Sequence, residues 1–419
     1  MDALTLLVVV DNESDILSSV DPGIPKLSEV THLLARTPVA MTHGPHEGHV
    51  VFDHLCLACH GLSVLVTARR GAAARTALLD VGPDGDVWLA NAMRLGVDLA
   101  AVELIFLSHW PFDHSGGLPK VLGAIARARA AAGLSPPVLD VHPNRPHQRG
   151  ITLPTGKVML FPPGPTLAAL SAAGTEFGAH ADPHPLLDGL LYGSGMIARA
   201  TSYETGLHGH VMISQDGSVA DDPLILDERF LAGHVRGRGV TVLSACSHAG
   251  IVPAALVAQA AFPDQQIDVL LGGYQLAGAA MEQRIPATMR DLIDRVGPAV
   301  FAPGHCSGWR LKTALGSAAP RATPQRGRDP LRPRGRPYAT ASTRSRAIRL
   351  KRAMLPSVRA TRSAPSRPAR NTSARRRASA GGRRTAPGRR LSRGAGGGAS
   401  DRAHRPQHRA LQADLARPD

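Results

Sequence analysis

The stretch Leu107–Leu118, LSHWPFDHSGGL, gathers more ligand chemistry than any other part of the 419-residue chain. His109, Asp113 and His114 share one short loop. It directly follows Val102–Leu107, an apolar run that reads as a buried strand. Two imidazoles and a carboxylate at this spacing are what a divalent cation takes from a strand-to-helix turn. Pro111 stands between them and brings no side-chain donor.

Three further apolar runs end in polar, glycine-rich loops: Val240–Ser244 before ACSHAGI, Val269–Leu271 before GGYQL, and Ala299–Ala302 before PGHCSGWR. They carry His248, Gln275 and His305. In layered α/β folds ligands gather at loops capping strand ends, so histidines at equivalent positions point to one shared site. The surrounding pattern supplies the rest of such a fold. Leu4–Val10, Ser63–Thr67, Thr76–Asp80 and Val138–Val141 read as strands, with a turn at Arg70-Gly71. Asp86–Leu95, Leu118–Ala132, Val252–Ala261 and Met281–Arg295 read as helices. Residues 143–205 read as strands mixed with loops.

These residues resemble the metallo-β-lactamase superfamily, whose core motif is H-x-H-x-D-H followed by single ligands on later strand-end loops. The closer resemblance is to dihydropterin-ribofuranosylaminobenzene phosphate synthase-like hydrolases. It is carried in order by VDNESDILSS, HGLS at 60–63, LLDVGPDG at 78–85, LSHWPFDHSGGLP, SGMIARATSYETG, DERF, SACSHAGIV, LGGYQLAG and APGHCSGWR. It spans about residues 4–316. The implied fold is an α/β (α+β) αββα sandwich. The implied cofactor is a divalent metal, zinc with manganese or iron as alternatives, at one or two ions per chain. By resemblance, His109, position 111 and His248 hold one ion, and Asp113, His114 and His305 the other. A metal-activated water would be the nucleophile, Asp113 sits at the catalytic centre, and Asp80 orients a ligand rather than binding metal. The implied activity is that of a metal-dependent hydrolase or transferase on a small, phosphorylated or pterin-like molecule.

The sequence departs from the pattern at two places. Pro111 replaces the second histidine of the motif, and Gln275 replaces the histidine usual in GG-aromatic-His-Leu. A glutamine oxygen suits a hard cation but is a poor zinc ligand. The expectation is a weakened or lost first ion beside a partly retained second. The competing reading is a non-catalytic relative with an eroded site.

Other candidates carry less. CLACH, Cys56 to His60, has c-type haem spacing, but that reading needs export, and four cysteines form no disulfide framework at this length. Cys246 and Cys306 read as packing groups or neighbours of ligands, not thiolate ligands. His43, His46, His49, His54 and His60 read as a solvated or substrate-side segment, and His180 and His184 as loop residues flanking Pro183. His208 and His210 are candidates for the substrate pocket, with Glu204 nearby. Arg199 and Arg229 are candidates for an anionic substrate group, because guanidinium forks match phosphate oxygens.

Charge is divided sharply along the chain. Residues 321–419 hold 27 basic residues, 26 of them Arg, against 4 Asp, a net of +23; the remainder holds 21 basic against 29 acidic, a net of −8. With Tyr338 as its one aromatic, the C-terminal part cannot bury enough apolar surface to offset its ordering entropy. The expected organisation is a domain over 1–316 and a disordered tail over 317–419. Such Arg/Ala/Pro/Gly/Ser-rich sequence is also what a GC-rich gene yields in a shifted frame. A genuine tail could neutralise phosphates of a nucleic acid, though it lacks aromatics to stack on bases. The acidic balance of 1–320 argues against a nuclease. Leu4–Val10 is too short and lacks the basic flank of a signal peptide, and no apolar run spans a bilayer, so a cytoplasmic protein with no membrane partner is expected.

Overall fold

The computed structural model describes residues 1–15, 40–43, 46–49, 55–318, 339–340 and 347–351. Two seven-stranded sheets dominate. The first is assembled from β1 (Ala3–Val10), β4 (Ser63–Arg70), β5 (Ala73–Leu79), β6 (Val102–Phe106), β7 (Val138–Val141), β10 (Glu176–Ala179) and β20 (Ala347–Lys351), in the order β10-β7-β6-β5-β4-β1-β20. The second takes β11 (His184–Leu186), β12 (Leu191–Gly193), β15 (Phe230–Val235), β16 (Gly239–Ser244), β17 (Ile267–Gly273), β18 (Val300–Gly304) and β19 (Ala339–Thr340), in that order. A smaller sheet joins β8 (Gln148–Thr152), β9 (Val158–Leu160), β13 (His210–Ile213) and β14 (Val219–Asp221). A separate hairpin pairs β2 (Ala40–His43) with β3 (His46–His49).

Alternation along the strands decides which layer each side chain joins. Leu4, Leu6 and Val8 of β1, Leu104 and Phe106 of β6, and Val269 and Leu271 of β17 meet between the sheets. Their neighbours point outward. Val9, Leu78 and Ile105 pack under the helices Gly85–Arg94 and Leu118–Ala131, through Trp88, Val121, Leu122 and Ile125. Val240, Val242 and Leu270 pack under Ile251–Ala261. Both faces of both sheets are therefore covered, which explains why these strands read as unbroken apolar runs. The layer order is helix, sheet, sheet, helix, as expected.

The helix expected over Met281–Arg295 is broken in the structure into Ala279–Glu282, Ile285–Asp291 and a wide turn over Leu292–Val296. Pro286 opens the middle piece at a first-turn position, where its missing N–H costs nothing. Beyond residue 316, Ala347–Lys351 runs antiparallel to β1 and Ala339–Thr340 runs beside β18, so backbone past the expected domain boundary joins both sheets. The rest of the expected tail lies outside the described residues. Among the described residues no helix is long and apolar enough to cross a membrane.

Strands β5, β6 and β7 run parallel in one sheet, and β16, β17 and β18 in the other. Their carboxyl ends deliver Asp80, Ser108–His114, Cys246–His248, Gln275 and His305 to one edge of the sandwich. Four non-glycine residues there adopt left-handed backbone: Asp80, Ser247, Gln275 and His305. Such conformations cost about 1–3 kcal/mol each and persist where surrounding structure over-determines them.

Candidate metal centre

The strand-end loops bring His109, His114, His248 and His305 together with Asp113 and Cys246, and every one of these side chains except Asp113 is buried. The histidines turn Nε2 inward. His109 Nε2 lies 3.1 Å from His248 Nε2, and the Nε2 atoms of His114 and His305 each lie 3.1 Å from Cys246 Sγ and 3.4 Å from an Asp113 carboxylate oxygen.

Outward-facing Nδ1 atoms are held by a built scaffold. Asp80 Oδ2 accepts from His114 Nδ1 at 2.7 Å and from the Ser108 hydroxyl at 2.7 Å; Asp80 Oδ1 accepts the Ser108 N–H. Because that hydroxyl donates to Asp80, its lone pairs face His109 Nδ1 at 2.8 Å. His305 Nδ1 meets Asn12 Oδ1 at 2.9 Å, and Asp11 accepts the His305 backbone N–H. These partners place the proton on Nδ1 and leave the Nε2 lone pair free, the tautomer a metal-binding imidazole requires. His248 differs, since its buried Nδ1 has no partner.

Burial keeps His109 and His248 neutral, pushing both well below the ordinary histidine value. At His114 burial opposes the charged form, but the carboxylates of Asp113 and Asp80 prevail and hold it well above that value. Asp113 is held well below the ordinary carboxylate range: burial opposes its charge, and the facing His114 and His305 outweigh burial. Negative charge and lone pairs thus converge on a space that protons or a cation must balance.

The donors fall into two groups sharing one thiol. Asp113, His114, Cys246 and His305 place four donor atoms within 4.8 Å of one another, and His109, Cys246 and His248 place three. Two nitrogens, an oxygen and a sulfur suit a tetrahedral zinc-class ion. The residues present therefore fit the divalent ion that the fold implies. Cys246, set aside in the sequence as a packing group, is the donor common to both groups. What could have flagged it is its place two residues before His248 on a strand-end loop. Pro111 lines the cavity and supplies no donor.

The DERF segment does more than its sequence suggested. Asp227, Glu228 and Arg229 are buried. Asp227 accepts the Trp110 backbone N–H and pairs with Arg149. Glu228 accepts the backbone N–H groups of His248 and Ala249, both at 2.8 Å, and burial pushes its pKa up to about 7. Arg229, expected to meet a substrate anion, instead pairs with Asp140 and donates to the Leu107 carbonyl away from the cavity. Arg199 donates to the carbonyls of Leu224 and His248 and also stays out of the cavity. Glu204 packs under the first turn of Ile251–Ala261 and accepts from Thr201, with no place in the cavity lining. Gln275 does line the cavity, and its buried Oε1 has no partner.

That cavity has a volume of about 780 Å³. Its floor is Asp113, Cys246, His248 and His305; Trp110, Phe161 and Trp309 form aromatic walls; Arg145, His147 and His208 add basic groups. His60 and His210, both anticipated on the substrate side, also line it. Cys56 and Cys59 are half-buried beside the outer core of the first sheet, neither in a disulfide. The side chains of His43, His46, His49 and His54 lie outside the described residues.

No protein-family model matches the chain. The solved structure of Tm1679, a metal-dependent hydrolase of the β-lactamase superfamily, matches with a TM-score of 0.52 at 17% identity, covering 83% of this chain and 98% of that one. YhfI from Bacillus subtilis, a metallo-β-lactamase fold protein, matches with a TM-score of 0.38 at 9% identity, covering 83% and 100%. The chain has the metallo-β-lactamase fold. In sequence, it is 25% identical over 254 residues to the 7,8-dihydropterin-6-methyl-4-(β-D-ribofuranosyl)-aminobenzene-5′-phosphate synthase of Methanocaldococcus jannaschii, covering 60% of this chain and 82% of that protein. This relative falls in the subgroup that the strand-end motifs resemble.

Proposed function

We propose that the protein is a metal-dependent hydrolase or transferase that acts on a small substrate joining a flat ring to a phosphorylated arm. The observation that carries this reading is the convergence of four histidine Nε2 atoms, a thiol and a carboxylate at the base of an aromatic-walled cavity, with Asp113, Cys246, His248 and His305 on its floor and His109 and His114 buried behind them. Asp113, His114, Cys246 and His305 would hold one divalent ion, and His109, His248 and the shared Cys246 a second, weaker one. Such an ion supplies Lewis acidity: it acidifies water toward neutrality and polarises the bond under attack. Asp80, Ser108 and Asn12 fix the imidazole tautomers. Asp113, the most exposed of these donors, is placed to hold a proton from an attacking water. Trp110, Phe161 and Trp309 offer faces for a planar ring, and Arg145, His147 and His208 offer donors for anionic oxygens. The pterin and ribosyl-phosphate parts named for the Methanocaldococcus relative match that division.

The test is turnover by metal-stripped, full-length protein reloaded with zinc, manganese or iron. The panel is small phosphate monoesters, phosphodiesters and dihydropterin-bearing ribosyl phosphates. Metal-dependent turnover that Asp113→Ala abolishes is the expected result. A reloaded protein that holds no ion, or holds one and turns over no member of the panel, overturns the reading in favour of a non-catalytic relative.

A further inference from the structure

A second cluster of ligand-type side chains lies outside the cavity. Asp140 of β7, His180 just after β10, and His184 at the start of β11 place three donor atoms within 4.8 Å of one another. None of them lines the cavity. The Asp140 side chain is 1% exposed, His184 is 15% and His180 is 44%, so the cluster opens to solvent on one side only. The imidazole rings stack with centroids 4.0 Å apart.

Hydrogen-bond arithmetic leaves something missing here. His184 Nδ1 faces the Asp182 carbonyl oxygen at 3.0 Å; a carbonyl only accepts, so the proton sits on Nδ1. In the neutral ring, Nε2 then aims a bare lone pair at Asp140 Oδ2, 3.0 Å away. His180 Nδ1 converges on the same oxygen at 2.7 Å. A lone pair facing a carboxylate needs a positive species between them. A backbone carbonyl on the far nitrogen is the arrangement that orients metal-binding histidines. The other oxygen, Asp140 Oδ1, is fixed by Arg229, which holds the carboxylate in place. Gly178 and Gly193 make room: a Cβ on Gly178 would meet the His180 ring at 2.9 Å, and one on Gly193 would meet the His184 ring at 3.1 Å.

We propose that Asp140, His180 and His184 form a separate site for a zinc-class divalent cation, completed by water. Its protein donors come from both sheets, Asp140 and His180 from β7 and β10 of one and His184 from β11 of the other. The bound ion therefore pins the sheets together at that edge. The proposal is independent of catalysis at the central cluster.

Zinc itself is the probe. Full-length protein is dialysed against buffered zinc, and ions per chain are counted for wild type, for His180→Ala/His184→Ala, and for a central variant, His114→Ala/His305→Ala. The peripheral double variant is expected to hold one ion fewer than wild type and the central variant to keep that ion. In the central variant, zinc should still raise the urea midpoint, and adding His180→Ala should diminish that rise. Should the double variant fail to fold, His180→Gln alone, at a half-exposed side chain, is expected to weaken the same ion at least tenfold. Equal ion counts and affinities with and without His180 and His184 would overturn the proposal and leave a proton-shared His–Asp cluster.

Discussion

The two halves of the central cluster are built alike and equipped unequally. On one side Asp113, His114 and His305 surround the Cys246 thiol, giving four donors; on the other His109 and His248 share that thiol, giving three. Each side keeps its supports: Asp80 and Ser108 behind His109, Glu228 behind the His248 backbone, Asn12 and Asp11 behind His305. The difference in donor number falls at position 111, where the resembling motif has a histidine. That residue precedes the short helix Phe112–Ser115 with φ −53°, close to the value proline fixes. Proline is therefore compatible with the backbone while contributing nothing to a metal. The contrast shows that a coordinating position can change without disturbing the scaffold that would serve it.

The strongest way to break the comparison is to remove a support common to both halves. Asp80 orients His114 directly and His109 through Ser108. Asp80→Ala leaves two buried imidazoles without their anchor, and supporting groups of this kind cost 10–100-fold in metal affinity. Both halves should lose zinc affinity by about that factor, read by competition with a chromophoric chelator. Loss from one half alone would show that the two are not coupled through Asp80.

Next in size is the shared donor. Burial holds the Cys246 thiol pKa well above its ordinary value, so metal binding must displace its proton. Cys246→Ala should weaken zinc at both halves, roughly tenfold or more. A cobalt-loaded wild type should show a thiolate charge-transfer band that this variant lacks. If the band is absent from the wild type, Cys246 is a packing residue after all, as its sequence context first suggested.

Pro111→His sharpens the comparison in the other direction. Restoring a donor to the weaker half should raise zinc from near one ion to two per chain in the central cluster, with about tenfold tighter binding of the second ion. The proline-compatible backbone makes the change nearly neutral for stability. Unchanged stoichiometry would mean that the new imidazole does not reach the His109–His248 pair.

How much of this could be read in the sequence differs by the kind of signal. The αββα layers were legible because the apolar strands and amphipathic helices carry their own periodicity. The ligand loops were legible because histidine stands out at a strand end. The approach of the Cys246 thiol to the histidines was not legible, because a cysteine beside a histidine looks like core and only the folded loop shows which way its sulfur points. The burial of the DERF charges was not legible for a related reason: their partners lie far along the chain. Arg229 meets Asp140 across 89 positions and Glu228 meets His248 across 20. The cluster of Asp140, His180 and His184 is brought together only by the pairing of β7 with β10 and the approach of the second sheet, neither of which local pattern encodes.

The smallest expected effect tests whether the His248 side is held by charge or by shape. Glu204 packs against Gly250, where a Cβ would fall 2.3 Å from its carboxyl carbon and φ is +105°, so glycine is required on both counts. Burial pushes the Glu204 pKa from 4.5 up to about 7, although Thr201 and the backbone of Val252 favour its charged form. The folded state thus holds this proton more tightly than the unfolded chain does. Its stabilising contribution is fully present below pH 4.5 and is lost as pH rises through about 7. Glu204→Gln keeps the shape and stays neutral. Relative to wild type, the variant should therefore gain stability by on the order of 2 kcal/mol between pH 4.5 and 8, measured by urea unfolding at each pH. A gap that does not vary with pH would show that Glu204 is already charged in the fold, with the helix N-terminus and Thr201 outweighing burial. The His248 loop would then be braced electrostatically, like the Asp80 side of the cluster.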